Sequence, residues 1–208
     1  MKKIDVVCAI IINDKDEVFC CQRGPGRSLE GKWEFPGRKI EEGEFGHEAL
    51  KREIKEELNS VIEVGLYRGT FDHVYPEMDG KIISMEAYDC ELVSGNLELS
   101  EHTDSKWLKP HELDTVEWAE ADKPIVELIK KALQKQKYTI CMANPDETDE
   151  IIWSDTCSEI TMQRKFREII RKQAEVYHSE ENRKNGYSIK WRQIRVYNSA
   201  NELIATES

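Results

Sequence analysis

The sequence predicts a fold of the α+β class, with a mixed region of strands and helices over residues 1–137 and a smaller α/β region over residues 138–208. Apolar runs of strand length, alternating or continuous, occur in both regions. Segments with apolar residues at helical spacing also occur in both. The charge pattern changes near residue 137, where a basic stretch gives way to an acidic segment. We therefore expect a domain boundary at that position.

The first region begins with two predicted strands, 4–12 and 17–22, which the polar turn 13–16 joins. A loop rich in Gly and Pro follows at 24–31. The periodicity of the apolar residues then predicts a helix over 46–58. The first part of the chain thus mixes strands with a helix.

Two longer strands are predicted at 61–75 and 81–93, with Asp79-Gly80 as the turn between them. A short strand follows at 105–109. Pro124 and the apolar residues after it predict a terminal helix that has proline in its first turn. In the second region the pattern predicts two strands, a helix and two final strands, over 138–143, 150–153, 160–181, 187–197 and 202–206.

The composition excludes several classes of protein. The 208 residues include 41 acidic and 30 basic side chains, which gives a formal net charge of −11. That balance argues against a general nucleic-acid binder and fits a protein that holds cations or simply stays soluble. No apolar run approaches the length of a membrane span, so we expect no membrane contact. The six cysteines lack metal-site spacing, and we interpret them as reduced thiols of a cytoplasmic protein.

The most informative stretch is the acidic half of the predicted helix 46–58. Glu53, Glu56 and Glu57 stand at i, i+3 and i+4, so they share one helix face and repel one another unless a cation lies among them. A hard divalent ion such as Mg²⁺ is the natural partner for such carboxylates. The alternative is a solvated acidic surface, in which Lys51 and Lys55 pair with the glutamates.

Two flanking features favour the metal interpretation. Glu44 lies eight residues before Arg52, and its carboxylate could accept a bidentate bond from the guanidinium and fix the loop against the helix. The loop 34–37 could bring main-chain oxygens close to the same helix face.

These residues resemble a known family. The pattern Glu44-x7-Arg52-Glu53-Ile54-x-Glu56-Glu57 resembles the Nudix box, G-x5-E-x7-R-E-U-x-E-E-x-G-U, and the segment 33–37 resembles its MutT branch. The similarity of layout covers roughly residues 1–135 and says nothing about 138–208. The resemblance implies a sandwich of a mixed sheet between helices. It also implies a pyrophosphohydrolase that acts on a nucleoside diphosphate linked to another group, with Mg²⁺ or Mn²⁺ as cofactor.

The resemblance also implies roles for single residues. Arg52 and Glu44 would orient the glutamates, and Glu53 is our first choice for the general base, with Glu101 as the second. Glu101 could instead be a solvated loop acid. The metal ligands would be Gly37, Glu53, Glu56, Glu57 and Glu101.

Three positions depart from the box. Arg38 replaces its first glycine, Asn59 replaces the later glycine and Ser60 replaces the last aliphatic residue. Asn59 is a mild change, because asparagine is the next-best residue for a left-handed helix cap. Arg38 places a bulky cation, with a positive φ if the loop keeps the glycine conformation, beside the metal site. It could weaken turnover or contact a phosphate.

Four residues are candidates for substrate binding. Arg23 and Lys39 match positions that approach phosphates in MutT-like proteins, although each could be a surface cation. Tyr75 could stack on the base or be an ordinary aromatic residue at a strand end. Asp122 matches the position that recognises the base, and the alternative is a helix N-cap.

The base is predicted to be cytosine. An ionised Asp122 only accepts hydrogen bonds, so it prefers the N4 amine of cytosine, and the stretches 100–102 and 121–124 resemble family members that hydrolyse CTP. If burial protonates Asp122, it could pair instead with an oxidised guanine.

We therefore predict a Mg²⁺-dependent nucleoside triphosphate pyrophosphohydrolase that releases a monophosphate and pyrophosphate. The alternative from another class is a nucleotide-sensing module in which Arg38 cripples hydrolysis and residues 138–208 act as the effector. The basic segment 160–195, with Trp191, could bind single-stranded nucleic acid, but packing against its own sheet and acids is the favoured interpretation. A role of 138–208 in forming a homodimer or in covering the active site also stays open.

Overall fold

The computed structural model describes residues 3–76, 80–144, 148–186 and 191–207. They form two compact units, Met1–Lys131 and Ala132–Ser208. The predicted α+β class is confirmed, while the division into two domains at residue 137 stays a prediction. No helix in the described ranges has the length and apolar character needed to cross a membrane. All six cysteines are buried and carry free thiols.

The first unit contains two sheets. The four-stranded sheet has the order β4 (Gly37–Lys39), β1 (Lys3–Ile11), β6 (Lys81–Ser94) and β5 (Val61–Tyr75). It is mixed, because β1 pairs in parallel with β6 while its other pairings are antiparallel. The second sheet is antiparallel and consists of β3 (Trp33–Glu34), β2 (Val18–Gln22) and β7 (Asp104–Leu108). The turn residue Asp79 lies outside the described residues.

Helix α1 (Gly46–Leu58) covers the mixed sheet of the first unit. Its apolar face, which includes Leu50 and Ile54, is fully buried in one core with Val7, Ala9 and Phe19. Burial of such side chains supplies most of the stability of a helix of this length. The helix ends at Asn59, whose left-handed backbone (φ 45°, ψ 36°) confirms the predicted cap.

Short strands β3 and β4 were missed by the sequence interpretation, which expected a loop there. Neither carries enough residues to show a period, and each is defined by its backbone pairing to a neighbour. The first residue of β4 is Gly37, and a glycine is needed there because the backbone passes very close to β1. A Cβ at this position would lie 2.1 Å from the carbonyl oxygen of Val7. A short 3-10 helix (Pro110–Thr115) and helix α2 (Lys123–Ala132) complete the unit, and Pro124 lies in the first turn of α2 as predicted.

The second unit is an antiparallel sheet with one long helix. Its strand order is β11 (Leu203–Glu207), β10 (Ile194–Tyr197), β8 (Gln136–Ala143) and β9 (Asp149–Cys157). Strand β9 is longer than the predicted 150–153, since it pairs along the whole of β8. The part of the predicted strand 187–197 at residues 187–190 lies outside the described residues.

The predicted helix 160–181 is interrupted. Helix α3 (Glu159–Tyr177) starts after Ser158, whose hydroxyl accepts a hydrogen bond from the amide of Thr161. A second helix, α4 (Glu180–Lys184), begins after Ser179, which caps it in the same way. A second capping residue therefore divides what the periodicity joins.

Helix α3 packs its apolar stripe on the sheet of the second unit, as predicted. Met162 is buried there with Tyr138 and Ile140, and Phe166 packs against them. Basic residues just before and within β10 pair with acids of the same unit, also as expected. Arg192 lies 3.1 Å from Glu150, and Arg195 lies 3.0 Å from Asp149. Trp191 packs edge-on against Tyr177.

Candidate active site

Two of the three glutamates on the predicted acidic face of α1 are buried. Glu53 is 2% exposed and Glu57 is 4% exposed, although both carry a carboxylate. Glu56 lies at the rim, with 57% of its side chain exposed. The predicted acidic face is therefore present, but only its inner pair is removed from solvent. Buried carboxylates need a compensating charge. The burial of Glu53 and Glu57 therefore distinguishes this face from an ordinary solvated helix face.

Arg38 supplies that charge. Its Nη1 atom lies 3.6 Å from Oε2 of Glu53, 3.5 Å from Oε1 of Glu57 and 3.8 Å from Oε2 of Glu101. The positive φ considered for Arg38 is wrong. It is absent from the non-glycine residues with positive φ in the described ranges, since β4 continues through it as an extended strand that pairs with Val7.

Glu44 and Arg52 form the predicted bidentate pair. Nε of Arg52 donates to Oε1 of Glu44 at 3.0 Å, and Nη2 donates to Oε2 at 2.9 Å. The same guanidinium donates from Nη1 to Glu53. The pair lowers the pKa of the Glu44 carboxyl below its usual value. Arg52 thus fixes one oxygen of Glu53 and ties the loop before α1 to the helix.

Oε2, the second oxygen of Glu53, accepts no hydrogen bond in the described part of the chain, although it is buried. Burial, with the charges of Glu53 and Glu101, raises the pKa of Glu57 to about 7, against the lowering effect of His102 and Arg38. Both features are typical of a carboxylate cluster that suits a hard divalent cation. Within the described ranges, no three acidic, His or Cys side chains converge to hold an ion. Glu53, Glu57 and Glu101 lie around the guanidinium of Arg38 instead.

Glu101 joins this cluster from the loop after β6. It pairs with Arg27 as well as with Arg38, and the bond to Arg27 lowers the pKa of its carboxyl. The sequence interpretation missed Arg27. The sequence shows Arg27 only as a basic residue in the glycine-rich loop. Nothing in the residue spacing pairs it with Glu101, 74 positions later.

A cavity of about 250 Å³ adjoins the acidic cluster. Arg38 and Glu57 line one part of it, while Tyr75 and Asp122 also line its wall. Lys39 lines the cavity too, and it borders a second depression that holds Glu53 and Glu56. The candidate phosphate and base residues are thus brought to one cavity beside the candidate metal ligands.

Asp122 is buried at the start of α2. Its backbone carbonyl accepts from the first helical amides, while Oδ1 of its side chain accepts from the amide of Phe35 at 2.9 Å. The side chain therefore reaches across to another segment, and the alternative of a side-chain helix cap is not supported. Burial raises the pKa of Asp122 well above its usual value, and the charge of Glu34 adds to this.

Tyr75 and Arg23 are both held by protein partners. The hydroxyl of Tyr75 accepts from the amide of Ala121 at 3.1 Å, which fixes the residue before Asp122. Arg23 pairs with Glu34 and donates from Nε to the carbonyl of Ser28 at 2.7 Å. Glu34 also lies 3.1 Å from Nε2 of His102, another contact with no sequence signal.

Comparisons with known proteins identify the family of the first region. A family profile described as a NUDIX domain matches residues 7–128. A CTP pyrophosphohydrolase from Escherichia coli K12 is 36% identical over 127 residues, which cover 61% of this chain and 91% of that protein. An 8-oxo-dGTP diphosphatase from Haemophilus influenzae is 32% identical over 126 residues, or 60% and 90% of the two chains. A solution structure of a MutT protein from Staphylococcus aureus, a Nudix hydrolase, is 41% identical with a TM-score of 0.52 and covers 62% and 98%.

Proposed function

Because the chain belongs to the Nudix hydrolase family, MutT-like branch, we propose that it is a nucleoside triphosphate pyrophosphohydrolase that releases a monophosphate and pyrophosphate. The observation that carries the proposal is Glu53, a buried carboxylate with one oxygen fixed by Arg52 and the other without a hydrogen-bond partner in the described residues. A buried carboxylate that has an unbonded oxygen and borders a surface depression is a candidate catalytic group.

We propose Mg²⁺ or Mn²⁺ as the cofactor. The carboxylates of Glu53, Glu56, Glu57 and Glu101 and the main-chain oxygen of Gly37 would hold it, because hard oxygen ligands match these ions. When bound, the ion neutralises phosphate charge and lowers the pKa of a coordinated water.

Glu53 is the proposed general base, accepting the proton of the attacking water at Oε2. Arg52 holds the carboxylate in one orientation, and Glu44 holds Arg52 with two hydrogen bonds. Glu101 is the weaker candidate, since Arg27 already occupies its carboxylate. A base must keep a free lone pair directed at the water, which favours Glu53.

Lys39 and Arg23 are proposed to bind the phosphates. Lys39 borders both the cavity and the depression with Glu53 and Glu56, so its ammonium can reach a phosphate chain that spans the two. Arg23 also lines the cavity, but Glu34 neutralises much of its charge. Tyr75 borders the base site and supports the loop of Asp122.

Cytosine nucleotides, such as CTP, dCTP or a modified dCTP, are the proposed substrates. Phe35 already occupies Oδ1 of Asp122, which leaves one carboxylate oxygen for a base in the cavity. An ionised oxygen there accepts a hydrogen bond from the N4 amine of cytosine. The identity of 36% with a CTP pyrophosphohydrolase supports this choice.

Oxidised guanine is the second candidate, and one observation favours it. Because burial raises the pKa of Asp122, the carboxyl tends to keep its proton and can donate a hydrogen bond to the O6 acceptor of a guanine. An 8-oxo-dGTP diphosphatase is among the relatives.

A panel of triphosphates, assayed side by side with wild type and Asp122→Asn, tests the substrate proposal. We expect CTP and dCTP to exceed undamaged purine triphosphates by about tenfold to a hundredfold in kcat/KM, the value of one good base contact. The preference should collapse in Asp122→Asn. If 8-oxo-dGTP has the highest kcat/KM, or if the variant keeps the cytosine preference, the cytosine assignment is wrong. Tight nucleotide binding without pyrophosphate release would instead support the sensing module.

A further inference from the structure

Arg38 has a role that the family's box does not provide, since a glycine is usual at its position. Among the described residues it is the one cation within 4.0 Å of Glu53, Glu57 and Glu101 together. Glu57 has no other cation at that distance in the same ranges. Without Arg38, a cluster of two buried carboxylates and a half-buried one would lack its central positive charge.

The contacts of Arg38 are long and use one atom. Nη1 alone approaches all three carboxylates, at 3.5–3.8 Å. Arg52, by contrast, forms a bidentate ion pair with Glu44, with hydrogen bonds of 2.9 and 3.0 Å. Arg38 therefore neutralises the cluster as a loosely held point charge.

The side chain of Arg38 is also able to leave the carboxylate cluster. Half of it is exposed (50%), and it extends from the edge strand β4. The guanidinium can move into solvent without disturbing the core, but the glutamates then need another cation.

We propose that Arg38 is an internal counter-ion that competes with a divalent metal for Glu53, Glu57 and Glu101. The metal enters the cluster as the guanidinium leaves it. The arginine thus stabilises the metal-free protein and raises the metal concentration that the site requires. This inference rests on the proposed metal-dependent function, but it concerns binding and is independent of turnover.

Mn²⁺ binding to the full chain, measured by titration calorimetry after removal of metal with EDTA, tests the proposal. The variants are Arg38→Ala and Arg38→Gln, the second of which keeps side-chain volume. Lys55→Ala is the control, because it removes the same charge from an exposed position of α1 where the ammonium contacts Asn59. We expect the Arg38 variants to bind Mn²⁺ about tenfold more tightly than wild type, and Lys55→Ala to change the Kd by less than about threefold.

Thermal unfolding supplies a second readout. In EDTA both Arg38 variants should melt below wild type, and saturating Mn²⁺ should raise their Tm by more than it raises that of wild type. The proposal is overturned if neither Arg38 variant tightens Mn²⁺ binding at least about threefold beyond Lys55→Ala. Hydrolysis distinguishes the two proposals. Active enzyme with unchanged Mn²⁺ affinities refutes only the role of Arg38, and tighter Mn²⁺ binding without pyrophosphate release refutes only the proposed function.

Discussion

Glu53 differs from the other glutamates of α1 in how its two oxygens are used. Oε1 accepts from Arg52, while Oε2 is buried without a hydrogen bond among the described residues. Glu56, three residues later, is largely exposed. The helix spacing placed these side chains on one face, but only the packing of β4 and the loop of Glu101 against α1 decides which of them is desolvated.

Replacing Glu53 with Gln should retain the fold and lower kcat at least about 10²-fold, because both the base and a metal ligand are lost. Steady-state kinetics with Mg²⁺ and CTP measure the loss, and circular dichroism checks the fold. Glu63→Gln, at an exposed position of β5, is the control and should be close to wild type. Near-normal turnover of the Gln variant would remove Glu53 from the mechanism.

At the scale of elements, the long periodic segments were predictable and the short paired ones were not. Helix α1 and strand β5 follow the predicted bounds because their apolar faces repeat over many residues. Strands β3 and β4 have two and three residues, so tertiary pairing alone defines them. The two serine caps at 158 and 179 explain why one predicted helix became two.

The C-terminus of α1 offers a test of the backbone argument for Asn59. Asn59→Ala should destabilise the protein, and Asn59→Gly should be neutral or slightly stabilising, because φ is 45° at this position. Both variants lose the contacts of the Asn59 side chain with Lys55 and Glu98, so their difference isolates the backbone. Urea unfolding should place Gly above Ala by roughly 1 kcal/mol. Equal stability of the two variants would contradict the account.

Ser60 shows how a departure from the family pattern is accommodated within an element. It is fully buried where an aliphatic residue is usual. Its hydroxyl donates to the carbonyl of Leu58 at 2.8 Å and accepts from the amide of Leu97 at 2.9 Å. The polar side chain is therefore satisfied, and the cost of burying it is offset.

For the whole molecule, the buried Asp122 predicts a pH dependence of stability. Its pKa is higher in the folded protein than in the unfolded chain, so the folded state binds more protons between the two values. The free energy of unfolding therefore falls as pH rises through that window. Asp122→Asn lacks this group and should lose less stability than wild type between about pH 5 and pH 8.

Urea unfolding of wild type and Asp122→Asn at the two pH values measures this difference. Other titrating groups, including Glu57 with its raised pKa, are common to both proteins and cancel in the comparison. Parallel loss of stability in the two proteins would show that Asp122 ionises in the fold as readily as in the unfolded chain.

Contacts of the candidate site between residues close in sequence could be predicted, and contacts between distant residues could not. The pair of Glu44 and Arg52 followed from spacing, since both belong to one helix and the turn before it. The contacts of Arg27 with Glu101 and of Glu34 with His102 join residues 74 and 68 positions apart, so no local pattern could reveal them. A homodimer, and a cover over the active site from residues 138–208, stay predictions.

The products formed from CTP distinguish a pyrophosphohydrolase from a phosphatase or a nucleotide-binding module. Phosphorus NMR of the full chain incubated with CTP and Mg²⁺ should show CMP and pyrophosphate appearing in equal amounts over many turnovers, and Glu53→Gln should abolish both signals. Release of CDP and orthophosphate, or tight nucleotide binding with no products, would contradict the assignment of this chain as a nucleoside triphosphate pyrophosphohydrolase.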